Sequence, residues 1–326
     1  MANSRNSESP DLLDTAVAAC LRRHLKTGQT LAVGLSGGRD SVALMHVLHR
    51  LQNTFGFRLR ACHVNHGLSP HAEEWQQFCR SFCDDLGISL ALVPVSVPRN
   101  SAEGLEAAAR KMRYAAFSEQ SADWIVLAQH RGDQAETLLF NLLRGTGLTG
   151  MAGMFEVRSL RPGLGLMRPL LSVSRSDIDI YLATHDLNWV EDESNDDTGF
   201  SRNFMRHQVL PLLHSRFPAA ERKLAAAAGR FVEARMLLDD LALIDLAGAP
   251  PSFPIPVASF DNLPEPRRRN LLRFLLMQHD VRIPSEERLI EAVRQLSEAK
   301  ADRHPAIAFG NWQLRRRRGK VHLEQD

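Results

Sequence analysis

Short apolar runs alternate with longer amphipathic stretches over the first two thirds of the chain. The runs typical of buried strands are Leu31–Leu35, Leu59–Asn65, Ile88–Val97 and Trp124–Gln129. Apolar residues recur with helical spacing between them, at 41–52, 72–86, 103–122 and 133–144. This alternation predicts an α/β domain whose parallel sheet is covered by helices on both faces. Because such sheets bind ligands beyond the carboxyl ends of their strands, we expect the functional residues there.

The pattern changes after about residue 217. An alanine-rich helix is predicted over 218–247, and the sequence Gly-Ala-Pro-Pro-Ser that follows it is a clear break. Beyond the break, a small α+β module is predicted from helices near 265–278 and 285–299 and from strands at Ala306–Phe309 and Val321–Leu323. We therefore expect three regions, which are a catalytic domain at 12–217, a helical linker at 218–249 and an α+β domain at 250–326.

The bulk composition is that of an ordinary globular protein. Of the 326 residues, 44% are hydrophobic and 24% are charged, and the net charge of +2 does not by itself demand a nucleic-acid partner. The four cysteines contain no Cys-x-x-Cys pair, which argues against a zinc ribbon or an iron–sulfur site. Residues 1–10 are polar, and we expect them to be disordered. Without a signal-peptide core or a long apolar run, the sequence predicts a cytoplasmic protein with no membrane association.

A glycine turn between the first strand and its helix is the strongest chemical signal. It consists of Ser36, Gly37, Gly38, Arg39, Asp40 and Ser41. The exposed N–H groups, the helix dipole and the two hydroxyls suit a phosphate, although the Lys-Ser/Thr ending of a Walker loop is absent. A carboxylate beside polyphosphate requires a cation, so Asp40 favours ATP with Mg²⁺ over a simple anion. The alternative is an ordinary Ser-Gly turn.

Two carboxylates lie three residues apart where the fourth strand leads into its helix. Asp133 and Glu136 should share one face at that helix N-terminus. Acidic residues are common there as caps and as partners of the helix dipole. The functional alternative is that the pair binds a metal or the amine of a cationic substrate.

Arginines recur in two further segments of the predicted catalytic domain. Arg110 and Arg113 project from one side of a helix, where Glu106 offers an ordinary i,i+4 partner to the first of them. An acidic stretch at 191–197 runs into a helix start that carries Arg202 and Arg206. Both segments would suit phosphate groups of ATP or RNA, and both would also suit an exposed surface.

The C-terminal module contains clustered arginines. They are Arg267, Arg268 and Arg269, and then Arg315, Arg316, Arg317 and Arg318. Clustered arginine suits contact with a nucleic-acid backbone. The alternative is a solvated edge strand whose charges prevent aggregation.

Six motifs together resemble the tRNA(Ile)-lysidine synthetase family of the PP-loop, or N-type ATP pyrophosphatase, superfamily. They appear in the family's order over about 30–210, and they are Ser-Gly-Gly-Arg-Asp-Ser, His63–Leu68, Glu106–Tyr114, Asp133–Thr137, Arg144–Gly147 and Glu191–Arg206. Residues 250–326 resemble the family's tRNA-binding domain more weakly. Two positions depart from the family pattern: Gln129 stands in place of a histidine and Gly132 in place of an aspartate. No metal role is therefore assigned at 132.

The resemblance implies a reaction on the wobble cytidine of the isoleucine tRNA that carries a CAU anticodon. ATP would adenylate the C2 oxygen with release of pyrophosphate, and the ε-amine of free L-lysine would then displace AMP. The resemblance implies that the glycine loop binds ATP, that Asp40 holds Mg²⁺ and that Asp133 and Glu136 bind lysine. Arg206 would act on the α-phosphate. The contacts to phosphates or tRNA would come from Arg110, Arg113, Arg202 and Arg315–Arg318.

Two other functions remain open at the level of sequence. A tRNA thiolase of the same superfamily is the nearer one, but those that act on cytidine use paired Cys-x-x-Cys motifs, which this chain lacks. A non-catalytic ATP-binding RNA module is the second, and the acidic residues at 40, 133 and 136 argue against it. The sequence also leaves open whether the chain forms a homodimer.

Overall fold

The computed structural model describes residues 11–98, 100, 104–193, 199, 201–281, 285–298 and 305–325. Residues 1–10, for which the sequence predicts disorder, lie outside the described residues. The chain divides into two compact units. The first comprises the residues up to Gly145 together with Gly153–Gly229, and the second comprises Thr146–Ala152 together with Arg230–Asp326.

The first unit is a mostly parallel α/β structure, as predicted. Its strands are β1 (Thr30–Gly34), β2 (Arg58–Asn65), β3 (Ser89–Pro94), β4 (Trp124–Val126), β5 (Val157–Arg161) and β6 (Leu164–Met167). Its first helices are α1 (Leu12–His24), α2 (Arg39–Phe55), α3 (Ala72–Asp85), α4 (Leu105–Ser118) and α5 (Arg131–Leu143). The sheet has the order β3-β2-β1-β4-β6-β5, in which only β5 is antiparallel to its neighbour.

The centre of this sheet is apolar because strand β1 is covered on both faces. Leu31 and Val33 are fully buried in one core cluster, and Ala32 belongs to another. Near-continuous apolar strands of this kind are typical of parallel sheets between two helix layers. Cys79 and Cys83, four residues apart on α3, are both fully buried in the same core cluster.

Shorter helices complete the first unit. They are α7 (Arg175–Thr184), α8 (Ser201–Phe204), a π-helical turn (Met205–Val209) and α9 (Leu210–Arg216), whereas α6 (Leu148–Met151) belongs to the second unit. Helix α10 (Ala220–Asp245) then spans the division between the two units. The predicted linker at 218–249 therefore contains residues of both.

The second unit is an α+β structure. Its remaining elements are β7 (Ile255–Pro256), α11 (Ala258–Asp261), α12 (Glu265–Gln278), α13 (Glu286–Glu298), β8 (Ala306–Phe309), β9 (Trp312–Arg317) and β10 (Lys320–Gln325). The antiparallel sheet has the order β7-β10-β9-β8. Strand β9 is therefore an interior strand, and the alternative that the Arg315–Arg318 cluster lies on an edge strand is wrong. Strands β8 and β10 precede and follow β9 through tight turns, and both pair with it in antiparallel register. Among the described helices, none is long and apolar enough to cross a membrane.

Candidate active site

The glycine loop follows β1 and opens α2, at the carboxyl edge of the sheet. The Ser41 hydroxyl donates to the Gly38 carbonyl oxygen at 2.8 Å and lies 3.1 Å from the Ser36 hydroxyl. The Gly38 N–H donates to the Ser36 hydroxyl at 3.3 Å. These bonds hold the loop at the N-terminus of α2, where helix N–H groups attract an anion.

A neighbouring segment packs tightly on this loop. The Val190 N–H donates to the Gly37 carbonyl oxygen at 3.0 Å. The Arg39 guanidinium donates to Asp179 at 3.0 Å and to Glu191 at 3.1 Å, and it lies 5.4 Å from the centre of the Trp189 ring. The side chain of Arg39 therefore ties the loop to its surroundings. Its predicted contribution to ATP binding stays a prediction.

The carboxylate of Asp40, in the same loop, is only partly compensated by its neighbours. Its Oδ1 atom is buried and has no hydrogen-bond partner. Its Oδ2 atom lies 3.9 Å from His130 Nε2 and 4.0 Å from Arg175. Burial raises the pKa of the Asp40 carboxyl, and His130 and Arg175 only partly oppose this. A bound cation would satisfy the unpartnered oxygen.

His130 lies between the glycine loop and the carboxylate pair, and its buried Nε2 atom has no hydrogen-bond partner. The residue is 2% exposed, and its Nδ1 atom accepts the Gly132 N–H at 3.0 Å. This leaves the proton of a neutral ring on Nε2, which lies 3.7 Å from Asp133 and 3.9 Å from Asp40. The sequence assigned no role to His130, although its position at the start of α5, beyond the carboxyl end of β4, was a signal.

Asp133 and Glu136 lie on one face of α5, as predicted, and both bind Arg206. The Arg206 guanidinium donates to the two Glu136 oxygens at 2.7 and 2.9 Å and to Asp133 Oδ1 at 3.0 Å. The Asp133 Oδ2 atom accepts the backbone N–H of His130 at 2.9 Å. Asp133 therefore serves as the predicted helix cap and as an ion-pair partner at once.

The ion pair is largely shielded from solvent. The Glu136 side chain is only 4% exposed, and that of Arg206 is 29% exposed. Burial raises the pKa of Glu136 despite the hydrogen bonds from Arg206. Burial alone would lower the pKa of Arg206, but the Glu136 hydrogen bonds and charge raise it overall. Arg206 lies in the π-helical turn, a local irregularity that is frequent at functional sites.

Other cations surround Tyr114 on α4. Arg110 lies 4.9 Å from the ring centre and donates to the hydroxyl at 3.2 Å. Arg168, which is 3% exposed, also donates to that hydroxyl at 3.2 Å and to Gln129 at 3.0 Å. Burial raises the pKa of Tyr114, but Arg110 and Arg168 together lower it overall. Sequence reasoning missed Arg168, which follows β6 directly.

The remaining predicted residues of the first unit have protein partners. The Arg113 Nε–H donates to His66 Nε2 at 3.3 Å, and burial together with this cation lowers the pKa of His66 to about 4. Arg202 lies 3.6 Å from Glu106. A cavity of about 530 Å³ is lined by residues that follow β2 and β3, among them His66, Gly67 and Val95. It opens at the same sheet edge as the glycine loop.

The two arginine clusters of the second unit differ in their contacts. Arg267 pairs with Asp245, Arg268 donates to backbone carbonyls at 2.6 and 2.8 Å, and Arg269 pairs with Glu265 and Glu286. The first cluster therefore stabilises its own fold.

The arginines of the second cluster lie on both faces of the sheet, because successive side chains of strand β9 point to opposite faces. Arg316 donates to the Leu296 carbonyl at 2.8 Å, whereas Arg315 and Arg317 lie opposite His322 and Lys320 and share Glu324 at 3.3 and 3.2 Å. One face of the sheet is therefore basic. Arg318 occupies the following turn with a φ of 47°.

The fold and the glycine loop define a PP-loop ATP-binding protein. A family model described as a PP-loop domain matches residues 12–213, and one described as the TilS substrate binding domain matches residues 255–322. The U34-tRNA thiolase NcsA from Methanococcus maripaludis has a similar fold, with a TM-score of 0.56 and 17% identity over 68% of this chain and 78% of that chain.

Sequence similarity narrows this class to one family. The tRNA(Ile)-lysidine synthase of Nitrosomonas europaea is 41% identical over 325 residues, which cover 99% of this chain and 71% of the relative. The tRNA(Ile)-lysidine synthase of Aromatoleum aromaticum is 47% identical over 269 residues, which cover 82% of this chain and 63% of the relative. The chain belongs to the tRNA(Ile)-lysidine synthase family. It spans between 63% and 71% of the lengths of these two relatives.

Proposed function

We propose that this chain joins L-lysine to C2 of the wobble cytidine in the isoleucine tRNA with a CAU anticodon. The observation that carries the proposal is the position of His130 between two sites. Its Nε2 atom lies within 4 Å of both Asp40 in the glycine loop and Asp133 in the carboxylate pair. The adjacency of these residues supports a nucleotide site next to an amine site, as a reaction in two steps on one carbon requires.

The first step is adenylation of the cytidine. The C2 oxygen is a poor leaving group, and transfer of AMP to it with release of pyrophosphate makes it a good one. The loop from Ser36 to Ser41 would bind the pyrophosphate portion through its N–H groups and hydroxyls. Asp40 suits Mg²⁺, because its buried Oδ1 atom has no hydrogen-bond partner and carboxylate oxygen is a preferred ligand. The metal would offset the negative charge that develops on the phosphates.

The second step is attack by the ε-amine of lysine on C2, with AMP as the leaving group. An ammonium ion must first bind and then lose its proton, since free lysine titrates near ~10.4. Asp133 and Glu136 supply the matching negative charge on one helix face. Burial raises the pKa of Glu136, which makes this carboxylate a better proton acceptor than an ordinary exposed glutamate.

The thiolase alternative is disfavoured by the state of the cysteines. All four are buried, at positions 20, 62, 79 and 83. Burial raises the pKa of each of these thiols to about 12. A cysteine that carries sulfur to a substrate needs an accessible thiolate, which these buried residues do not provide.

The experiment is an incorporation assay with the purified full chain. It combines ATP, Mg²⁺, radiolabelled lysine and a transcript of the isoleucine tRNA, and it measures pyrophosphate release and label in the tRNA. The control is the methionine tRNA that shares the CAU anticodon. We expect release and incorporation with the isoleucine tRNA only. Pyrophosphate release without any incorporation of lysine would refute the proposed substrate.

A further inference from the structure

We propose that Arg206 closes the lysine site in the substrate-free enzyme and moves away when ATP binds, so that lysine binds after the nucleotide. This inference rests on the proposed function, because it assumes that Asp133 and Glu136 bind the lysine ammonium. It adds an order of binding that the reaction itself does not impose on the two small substrates.

Every carboxylate oxygen of the proposed lysine site already has a hydrogen-bond partner. Arg206 occupies both Glu136 oxygens at 2.7 and 2.9 Å and Asp133 Oδ1 at 3.0 Å. The second Asp133 oxygen accepts the backbone N–H of His130 at 2.9 Å. An ammonium ion that approaches this pair meets a guanidinium of the same charge. Each carboxylate oxygen can accept a second hydrogen bond, but the Arg206 guanidinium repels an ammonium at this pair for as long as it stays in place.

The glycine loop supplies a reason for Arg206 to move. Only His130 and Asp133 lie between Asp40 and Arg206 in the chain of contacts described above: His130 Nε2 is 3.9 Å from Asp40 and 3.7 Å from Asp133, and Asp133 accepts a hydrogen bond from Arg206 at 3.0 Å. ATP bound in this loop would add several negative charges next to Asp40. Arginine binds both phosphate and carboxylate through paired N–H groups. The nucleotide therefore competes with Asp133 and Glu136 for the same guanidinium.

The exchange also preserves the charge balance of a buried site. Glu136 is only 4% exposed, so a departure of Arg206 without replacement would leave an unpaired charge away from water. The lysine ammonium provides that replacement. Movement of Arg206 to the phosphates and entry of lysine should therefore favour each other. This reciprocity is the positive coupling that a binding experiment detects.

The test is equilibrium dialysis of radiolabelled lysine against the full chain, with and without a non-hydrolysable ATP analogue and Mg²⁺. We expect the analogue to increase lysine affinity by ~10-fold or more, the value of one charge-assisted hydrogen bond. Arg206→Gln should bind lysine equally well with and without the analogue, and Arg206→Lys should fall between. Arg216→Gln is a matched control, since this arginine contacts the exposed Phe217 ring at 5.4 Å.

Two outcomes would overturn the inference. One is equal lysine affinity of the unmodified chain in the presence and absence of the analogue. The other is an Arg206→Gln variant, folded by circular dichroism, that still requires the analogue. If the unmodified chain incorporates lysine into tRNA under either outcome, only the order of binding is refuted. If it neither binds nor incorporates lysine in any state, the proposed function fails as well.

Discussion

Replacement of Gly37 by alanine tests the packing of the glycine loop. Gly37 has a φ of +88°, in the left-handed region that side chains disfavour. A Cβ at this position would lie 2.8 Å from Val190 Cγ2 and 3.2 Å from Cys79 Sγ. Gly28 is a matched control, because its φ of +84° is nearly the same and a Cβ there would have no neighbouring atom within 4 Å. It precedes β1, at the opposite end of the strand from the loop.

The two variants share one energetic cost and differ in another. The left-handed conformation costs an alanine about 1–2 kcal/mol at either position. Alanine also reduces the entropy of the unfolded chain, which stabilises the fold of both variants by about 0.4–1 kcal/mol. Only Gly37→Ala adds the steric overlap, and overpacking of a closely packed site costs roughly 1–3 kcal/mol. We therefore expect the free energy of unfolding of Gly37→Ala to be about 1–3 kcal/mol lower than that of Gly28→Ala.

Urea denaturation of the two variants measures this difference, and pyrophosphate exchange with tRNA present measures its consequence. Because the Val190 backbone hydrogen-bonds to Gly37, we expect relief of the overlap to move the loop N–H groups that we propose bind the phosphates. A shift of ~1 Å in a positioned group can reduce a rate ~100-fold, so exchange should fall on that order in Gly37→Ala and stay near normal in Gly28→Ala. Equal stability of the two variants, with full exchange activity in Gly37→Ala, would refute this account.

Four other perturbations follow from the structure. Burial raises the pKa of Asp40, so its ionised form destabilises the fold above the unfolded pKa. Asp40→Asn should therefore raise the melting temperature at pH 8, lose that advantage near pH 4, and abolish pyrophosphate exchange. Glu136→Gln should raise the KM for lysine ~10-fold or more in steady-state assays, and a rise confined to the KM for ATP would contradict its role. Alanine at both Arg315 and Arg317 should flatten the log–log salt dependence of tRNA binding by about 2 in filter binding. Arg316→Ala should chiefly lower the melting temperature, because its guanidinium binds a backbone carbonyl.

Local sequence patterns predicted the parts of the fold that local interactions determine. Strand β1, the glycine turn and helix α2 follow from a change of apolar period across two glycines, and the structure confirms them within two or three residues. The hairpin of β5 and β6 was not predicted. Its strands are short and only partly apolar, although the dipeptide Pro162-Gly163 between them is a turn signal.

The pairing at the site lay beyond sequence reasoning for a physical reason. Asp133 and Glu136 were correctly placed on one helix face, since helical spacing fixes that arrangement. Their partner Arg206 comes 70 residues after Glu136, and no periodicity connects the two segments. From the sequence, the two were treated separately: the carboxylates were predicted to bind lysine, and Arg206 was predicted to act on the α-phosphate. The structure pairs them, which turns two separate site predictions into one coupled site.

The two departures from the family motif, at positions 129 and 132, lie on either side of His130. The Gln129 side-chain oxygen accepts a hydrogen bond from the buried Arg168 at 3.0 Å, next to His130 in the chain. A Cβ on Gly132 would lie 2.8 Å from Cε1 of the His130 ring, so an aspartate there would displace the ring. Glycine at 132 thus allows the imidazole to lie between Asp40 and Asp133. Glycine at 132 therefore has two effects: it removes one carboxylate of the family motif, and it leaves room for the imidazole ring between the glycine loop and the carboxylate pair.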